Sequence, residues 1–206
     1  MSVTICFDFG NTRLKAAIFK NKELLEMRVL ENDRPETIQA LLDECKPDKT
    51  ILSSVIHHDK AIETQLAAHS KFHLLGPATF INFTTPVGKP ETIGADRLAL
   101  VAAAVDLYPN QHNLIISLGT CITYNFVNIA HEFLGGSISP GMQMRFRAMH
   151  EQTALLPLIE ASNEFPLVGY DTKTNLLSGV ILGIAAEIDG IIAAYADKYG
   201  NFNVLL

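Results

Sequence analysis

Residues 5–19 read ICFDFGNTRLKAAIF, and this stretch decides how the first part of the chain folds. Apolar segments on both sides of the Gly-Asn-Thr triplet are typical of strands, and the triplet is typical of a tight turn. The stretch therefore predicts a β-hairpin. Asp8 is unusual within it, because a carboxylate in an apolar strand costs free energy unless a partner stabilises its charge.

The composition is that of a globular protein with a small-molecule partner. The chain has 206 residues, 48% of them hydrophobic, which is enough for one large domain or two smaller ones. A net charge of -6 without any dense Lys or Arg block argues against nucleic-acid binding. The sequence has neither a long uninterrupted apolar run nor a basic leader at its start, so we expect no membrane span and a cytoplasmic protein.

The three cysteines do not predict a disulfide framework or a zinc site. Cys6, Cys45 and Cys121 are far apart and show no CxxC spacing. We expect them to act as small buried hydrophobic residues.

Strand-like and helix-like segments alternate, which predicts an α/β fold of layered sheets and helices. After the hairpin, the patterns predict strands at 25–30, 50–56 and 72–76, and helices that begin near 35, 59 and 94. In the second half they predict strands within 113–128, 132–139 and 201–206, a helix after Pro140 and a long helix over 175–198. In that last helix Gly179 and Gly183 favour close packing of a neighbouring element, and the helix is apolar enough for a domain or subunit interface.

The second half repeats the first. Residues 113–128, NLIISLGTCITYNFVN, again give an apolar strand, a small-residue turn and a second strand. Asp8-Phe9-Gly10 aligns with Ser117-Leu118-Gly119, which indicates a duplicated unit. We therefore expect two similar domains, 1–111 and 112–206.

The Gly-Asn-Thr turn has two interpretations. Small residues between two strands aim backbone N–H groups and a hydroxyl at one point, which suits a phosphate group, and Asp8 beside them suits magnesium directly or through water. No GxxxxGK[ST] motif occurs, so a P-loop kinase is not predicted. Alternatively, Asp8 and Thr12 only satisfy the turn by local hydrogen bonds.

Seven stretches resemble the type III pantothenate kinases in order and spacing. They are DFGNTRLK, SSV, GADRLA, LGTCITYN, GGSISPG, TALLP and GYDTKTNLLSG. The family belongs to the superfamily of acetate and sugar kinases, Hsp70 and actin. The resemblance implies two ribonuclease-H-like (actin-like ATPase) domains, each a mixed sheet flanked by helices, with ATP between them. It also implies phosphorylation of pantothenate to 4'-phosphopantothenate, the first step of coenzyme A biosynthesis.

The resemblance also implies roles for individual residues. Asp96 would be the catalytic base near the substrate hydroxyl. The phosphate-binding residues would be Asp8, Gly10, Asn11, Thr12 and Lys15 in the first motif, and Gly119, Thr120 and Thr123 in the second. The pantothenate site would be lined by Gly94, Ala95, Asp96, Arg97 and His150, and by Thr172 reaching across from the other subunit of a homodimer. The family implies magnesium with ATP, and a monovalent cation, potassium or ammonium.

Each of these residues also has an ordinary interpretation. Asp96 can be a first-turn helix acid, whose charge the helix dipole favours; Arg97 and Lys15 can be exposed surface charges. Arg145 and Arg147 lie on different faces of a helix, so only one of them can point into a cleft. His57 and His58 are adjacent and diverge, so we expect a loop or helix-start role for them and no metal site.

Two departures from the family pattern keep a second function open. The family's second phosphate motif usually reads DxGTxxTxD, whereas Ser117 and Asn125 stand here at the two acid positions. Their neutral oxygens offer a weaker monovalent-cation site, with Ser117 as a candidate ligand. In the family, the last strand is followed by a Gly-Gly turn that contacts adenosine and then by a closing helix. The sequence stops at NVLL, before both of these, so the second domain is expected to lack its end. A non-catalytic accessory or regulatory relative is the alternative; a sugar or acetate kinase fits the turns but not GADR and SPG.

Overall fold

A computed structural model describes residues 2–206 of the chain. The first half contains β1 (Val3–Phe9), β2 (Leu14–Lys20), β3 (Glu23–Leu30), α1 (Pro35–Cys45), β4 (Lys49–Ser54), α2 (Lys60–His69), β5 (Lys71–Leu74), a short 3-10 turn (Pro90–Thr92) and α3 (Ala95–Leu107). The second contains β6 (Asn113–Leu118), β7 (Cys121–Val127), β8 (Phe133–Pro140), α4 (Met142–Glu151), α5 (Thr172–Tyr199) and β9 (Asn203–Leu205).

The first sheet has the strand order β3-β2-β1-β4-β5. The predicted hairpin forms β1 and β2, β3 extends it antiparallel, and β4 and β5 run parallel to β1. Because side chains alternate along a strand, Ile5, Phe7 and Phe9 enter the core with Ile38 of α1 and Ile62 of α2. The Asp8 side chain therefore projects from the opposite face of the sheet.

The second sheet repeats this arrangement with the order β8-β7-β6-β9. Three antiparallel strands are again followed by a strand, β9, that runs parallel to the first of them. Its core contains Tyr124 and Phe126 with Phe146 of α4 and Val180 of α5. Two sheets with a shared strand order confirm the predicted fold class of duplicated ribonuclease-H-like domains.

The chain divides into two compact units, Met1–Ala103 and Ala104–Leu206. This division falls inside α3, whereas the sequence placed the boundary after residue 111, in the loop that follows the helix. The sequence boundary, and the two domains 1–111 and 112–206 that it defines, therefore stay a prediction.

Several local expectations change. The cysteines are free and half-buried rather than buried. Cys6 alternates with the core residues Ile5 and Phe7 and so lies on the other face of β1, while Cys45 ends α1 and Cys121 begins β7. Helix α5 starts three residues earlier than predicted, because Asp171 caps it: the Asp171 carboxylate accepts from Thr174 N at 2.7 Å. A Cβ at Gly179 or Gly183 would meet nothing within 4 Å, so no element of the described chain packs closely there. Helix α5 is long and apolar enough to cross a membrane, and core helices of soluble proteins share that length and composition.

Candidate functional site

The turn between β1 and β2 is closed by its own backbone. Gly10 N donates to the carbonyl oxygen of Arg13 at 3.1 Å, and a Cβ at Gly10 would lie 3.2 Å from that oxygen. Asn11 and Thr12 are exposed at the tip. The turn lines a groove of about 330 Å³ together with the end of β3 and Ile56. The tip is therefore open to a ligand, as a phosphate-binding turn requires.

Asp8 lies at the end of β1 between charged and polar neighbours. It pairs with Lys15 on β2 and with Ser53 on β4, and Lys15 Nζ lies 3.9 Å from Asp8 Oδ2. Burial raises the pKa of Asp8, the Lys15 ammonium lowers it, and the Asp96 carboxylate raises it again. The net effect is a raised pKa, so the ionised carboxylate is short of compensating positive charge.

Ser53 is a site residue that the sequence interpretation missed. Ser53 is 8% exposed, and its hydroxyl has no hydrogen-bond partner within residues 2–206. The next residue is different: Ser54 Oγ donates to the Ile56 carbonyl at 3.0 Å and lies 3.0 Å from His58 Nδ1. The SSV motif marked both serines, but only the strand register shows that Ser53 lies beside Asp8.

The GADR segment begins α3, where the Asp96 side chain closely approaches Gly94. A Cβ at Gly94 would lie 2.5 Å from Asp96 Oδ1, so the Asp96 carboxylate folds back over the glycine. Ala95 is buried, while Asp96 and Arg97 are half-buried. Burial lowers the pKa of Arg97, and the neighbouring Asp96 raises it. The first unit thus brings Asp8, Lys15, Ser53 and Asp96 into one electrostatic environment.

The turn between β6 and β7 is also held by backbone hydrogen bonds. Gly119 N donates to the Cys121 carbonyl, and Gly141 N donates to the Thr120 carbonyl, both at 3.0 Å. A Cβ at Gly141 would lie 2.3 Å from the Gly119 oxygen, so only glycine fits at this end of β8. Ser117 and Thr123 face each other across the two strands.

Other predicted residues lie elsewhere in the second unit. His150 is exposed near the end of α4 and donates through Nδ1 to the Leu156 carbonyl at 2.7 Å. Thr172 is the exposed first residue of α5. Arg145 is held by Glu187 and by the Pro140 carbonyl, whereas Arg147 is exposed.

The adjacent histidines have no metal-site geometry. His58 Nε2 lies 3.0 Å from Glu63 Oε1, so His58 ties the loop before α2 to that helix. Across residues 2–206, no group of three or more His, Cys, Asp or Glu side chains is arranged to hold a metal ion.

The sequence is similar to one protein family along almost its whole length. A family model for type III pantothenate kinase matches residues 4–194. The type III pantothenate kinase of Christiangramia forsetii is 39% identical over 205 residues, which cover 98% of this chain and 84% of the relative. Those of Cytophaga hutchinsonii and Bacteroides fragilis are 38% and 36% identical, each covering 99% of this chain and 85% and 84% of the relative.

One solved structure supports the fold alone. It is a conserved Campylobacter jejuni protein assigned to the Baf family of transcriptional activators, with a TM-score of 0.54 and 22% sequence identity. The alignment covers 90% of this chain and 78% of that chain.

Proposed function

The chain belongs to the type III pantothenate kinase family, and we propose that the residues described above carry out the family's reaction. That reaction is the ATP-dependent phosphorylation of pantothenate to 4'-phosphopantothenate, at the start of coenzyme A biosynthesis. The match over residues 4–194 carries this conclusion. The non-catalytic alternative gains no support from the three sequence relatives named above, because all three are called type III pantothenate kinases. The Campylobacter jejuni structure, at 22% identity, bears on the fold alone.

The two turns bind the phosphates of ATP in this proposal. The exposed tip at Asn11 and Thr12 presents backbone N–H groups and a hydroxyl, and Lys15 adds a positive charge beside Asp8. Gly119, Thr120 and Thr123 supply the corresponding groups of the second unit. Phosphoryl transfer needs mainly this positioning and charge neutralisation, and little covalent chemistry from the protein.

A divalent metal accompanies ATP in kinases, and the residues around Asp8 fit Mg²⁺. Asp8 offers a half-exposed carboxylate, Ser53 a hydroxyl without a partner, and Asp96 a second negative charge close enough to raise the pKa of Asp8. Mg²⁺ keeps several water molecules and binds through few carboxylates, which suits such a sparse ligand set. When bound, the metal neutralises phosphate charge. Asp8 would hold it, directly or through water, with Ser53 beside it.

Asp96 is the catalytic base of the proposal. The pantothenate hydroxyl oxygen attacks the γ-phosphorus, the bond from that phosphorus to the ADP oxygen breaks, and the hydroxyl proton passes to the Asp96 carboxylate. Gly94 gives the carboxylate room to fold back, and Ala95 fixes the start of α3 by its burial. The half-buried Arg97 guanidinium suits the carboxylate of pantothenate.

The monovalent cation implied by the resemblance, K⁺ or NH₄⁺, does not fit the residues present. Ser117, Thr123 and Asn125 are all uncharged, and the Asn125 amide donates where a cation would need an acceptor. No catalytic step is therefore assigned to such an ion here.

A homodimer completes the proposal. Helix α5 is rich in apolar residues, and only 22% of its most apolar stretch is buried in the single chain. Exposed apolar surface on this scale favours a protein partner, and a second copy is the simplest one. Thr172 is exposed at the start of the same helix, where it can reach a partner's substrate. His150 is exposed on α4, and we propose that it joins the pantothenate site. The proposed location of the protein is the cytoplasm, where coenzyme A is made.

The test is formation of phosphopantothenate from pantothenate, ATP and Mg²⁺. The product is detected by mass spectrometry. Product from the native chain and almost none from Asp96→Asn supports the proposal. A folded native chain that forms no product in any salt overturns the assignment of activity.

A further inference from the structure

A line of three uncharged side chains lies behind the turn between β6 and β7. Ser117 and Thr123 are cross-strand partners, and Asn125 lies two residues beyond Thr123 on the same strand. Directly opposed residues, and residues two apart on one strand, share a face of the sheet. The three polar side chains therefore lie together on one face.

The orientation of the Asn125 amide is fixed by its neighbours. Asn125 is fully buried, and its Nδ2 lies 3.1 Å from Thr123 Oγ1 and 3.4 Å from the Ile115 carbonyl oxygen. A carbonyl oxygen only accepts hydrogen bonds, so the amide nitrogen must face it. The reversed amide would set two acceptor oxygens against each other. The positive end of the amide dipole thus lies between two oxygens.

A monovalent cation would compete for the space of that amide group. It would need the oxygens of Thr123 and Ile115, to which the amide already donates, and an amide N–H cannot serve as a ligand. Neutral oxygens alone can hold a monovalent cation, but these three side chains add no negative charge to offset its removal from water.

The turn in front of these side chains is held by the chain itself. Gly119 N bonds to the Cys121 carbonyl, and Gly141 N bonds to the Thr120 carbonyl. We infer that this kinase needs no monovalent cation, because the Asn125 amide and the backbone hydrogen bonds organise the second phosphate turn without one. This inference rests on the proposed function wherever turnover is the readout.

The first test compares initial rates of phosphopantothenate formation by the full chain with Mg²⁺ and ATP. Potassium chloride, ammonium chloride and tetramethylammonium chloride are supplied at equal ionic strength, and no other monovalent metal is present. Rates in the three salts are expected to agree within about twofold, which is a small difference in barrier height. A rate in tetramethylammonium about tenfold or more below that in potassium or ammonium would overturn the inference.

Thermal unfolding gives a second readout that does not depend on turnover. An ion that binds only the native state raises its unfolding temperature. We expect the native chain to unfold at the same temperature in potassium, ammonium and tetramethylammonium chloride; a specific rise with potassium or ammonium contradicts the inference. Absence of product in every salt would count against the proposed function, while the unfolding comparison still decides the cation question.

Two variants test the role of the Asn125 amide directly. Asn125→Asp replaces the donors by a carboxylate facing the Ile115 oxygen, and Ser117→Asp adds a carboxylate at a half-buried position that tolerates charge better. Each folded variant is expected to gain a rise of unfolding temperature with potassium, and Asn110→Asp, on an exposed loop residue, is expected to gain none. If neither folded variant responds to potassium, Asn125 is not what excludes the ion.

Discussion

Asp8 and Ser53 are register partners on the adjacent parallel strands β1 and β4, so their side chains leave the same face of the sheet. The carboxylate has its pKa raised by burial, and the hydroxyl has no hydrogen-bond partner within residues 2–206. Both groups are therefore poorly satisfied in the protein alone. Such unsatisfied polar groups at the end of a strand are typical of a site built for a ligand.

Ser53→Ala is expected to weaken metal binding without costing stability. Removing an unsatisfied buried hydroxyl leaves the stability of the protein unchanged or raises it. The same substitution takes away one hydrogen-bond partner of a hydrated metal ion. The affinity for Mn²⁺, used in place of Mg²⁺, is expected to fall several-fold. It is measured by electron paramagnetic resonance with ADP present.

Ser54→Ala is the matched control for Ser53→Ala. Ser54 Oγ donates to the Ile56 carbonyl and contacts His58, so its loss is expected to lower the free energy of unfolding by about 1 kcal/mol while metal affinity stays unchanged. Unchanged Mn²⁺ affinity in Ser53→Ala would remove Ser53 from the site.

Asp96→Asn is expected to leave the fold intact and to lower kcat by about 100-fold or more, because it keeps the shape of the side chain and removes its basicity. Glu91→Gln, at an exposed position of the preceding 3-10 turn, is expected to retain native turnover. Native kcat in Asp96→Asn would show that another group accepts the hydroxyl proton.

Asp8→Asn is expected to be more stable than the native chain at neutral pH and inactive. The folded state raises the pKa of Asp8, first through burial, so ionisation of Asp8 costs stability as pH rises from its unfolded pKa through its folded pKa. The cost persists above that window and is absent below it. Thermal unfolding is expected to show a rise on the order of 1 °C that disappears as the pH falls below the ordinary aspartate value of 3.8.

Asp106→Asn, at an exposed position of α3, is the control for Asp8→Asn, and we expect it to show no such pH-dependent difference. An Asp8→Asn variant that is less stable than the native chain at neutral pH would mean that the Lys15 pair outweighs the burial of Asp8.

The hairpins and the duplication were readable from sequence because strand alternation and small-residue turns are local signals. The folding of Asp96 over Gly94 and the position of Ser53 beside Asp8 were not, since each depends on residues far apart or on side-chain direction. The early start of α5 had a local signal in the DTKT capping pattern, where Asp171 caps and Thr174 returns the hydrogen bond. Apolar periodicity alone could not show it, because a cap is polar.

Mixing two inactive variants tests the shared site of the proposed homodimer. If Thr172 of one subunit completes the site that contains Asp96 of the other, Asp96→Asn and Thr172→Arg are both expected to be inactive alone. A co-expressed equal mixture is expected to recover about a quarter of native turnover, because half the dimers carry one intact site. No recovery from co-purified mixed dimers would place Thr172 and Asp96 in the same subunit's site.

The Glu187 carboxylate is expected to be a main support of the second unit. It accepts hydrogen bonds from Tyr124 Oη at 2.9 Å, from Ser139 and from the Arg145 guanidinium, and Arg145 in turn binds the Pro140 carbonyl next to the Gly119 turn. Glu187→Ala leaves these donors without their acceptor, so the free energy of unfolding is expected to fall by about 2 kcal/mol. Glu187→Gln keeps one acceptor oxygen and is expected to lose less.

The contribution of Glu187 is also expected to depend on pH. Burial raises the pKa of Glu187, but the hydrogen bonds from Ser139, Arg145 and Tyr124 outweigh it and bring the pKa below the usual value. A lowered pKa means that the stabilisation is present above the unfolded-state pKa and is lost as pH falls through the folded-state pKa. Burial and Glu187 raise the pKa of Tyr124 to about 12, so its phenol stays a donor at neutral pH. Urea unfolding of Glu187→Gln is therefore expected to differ from the native chain at pH 7 and to converge with it in acid, whereas Glu160→Gln, exposed in a loop, matches the native chain throughout. Equal stability of Glu187→Ala and the native chain at pH 7 would show that the network does not hold the second unit together.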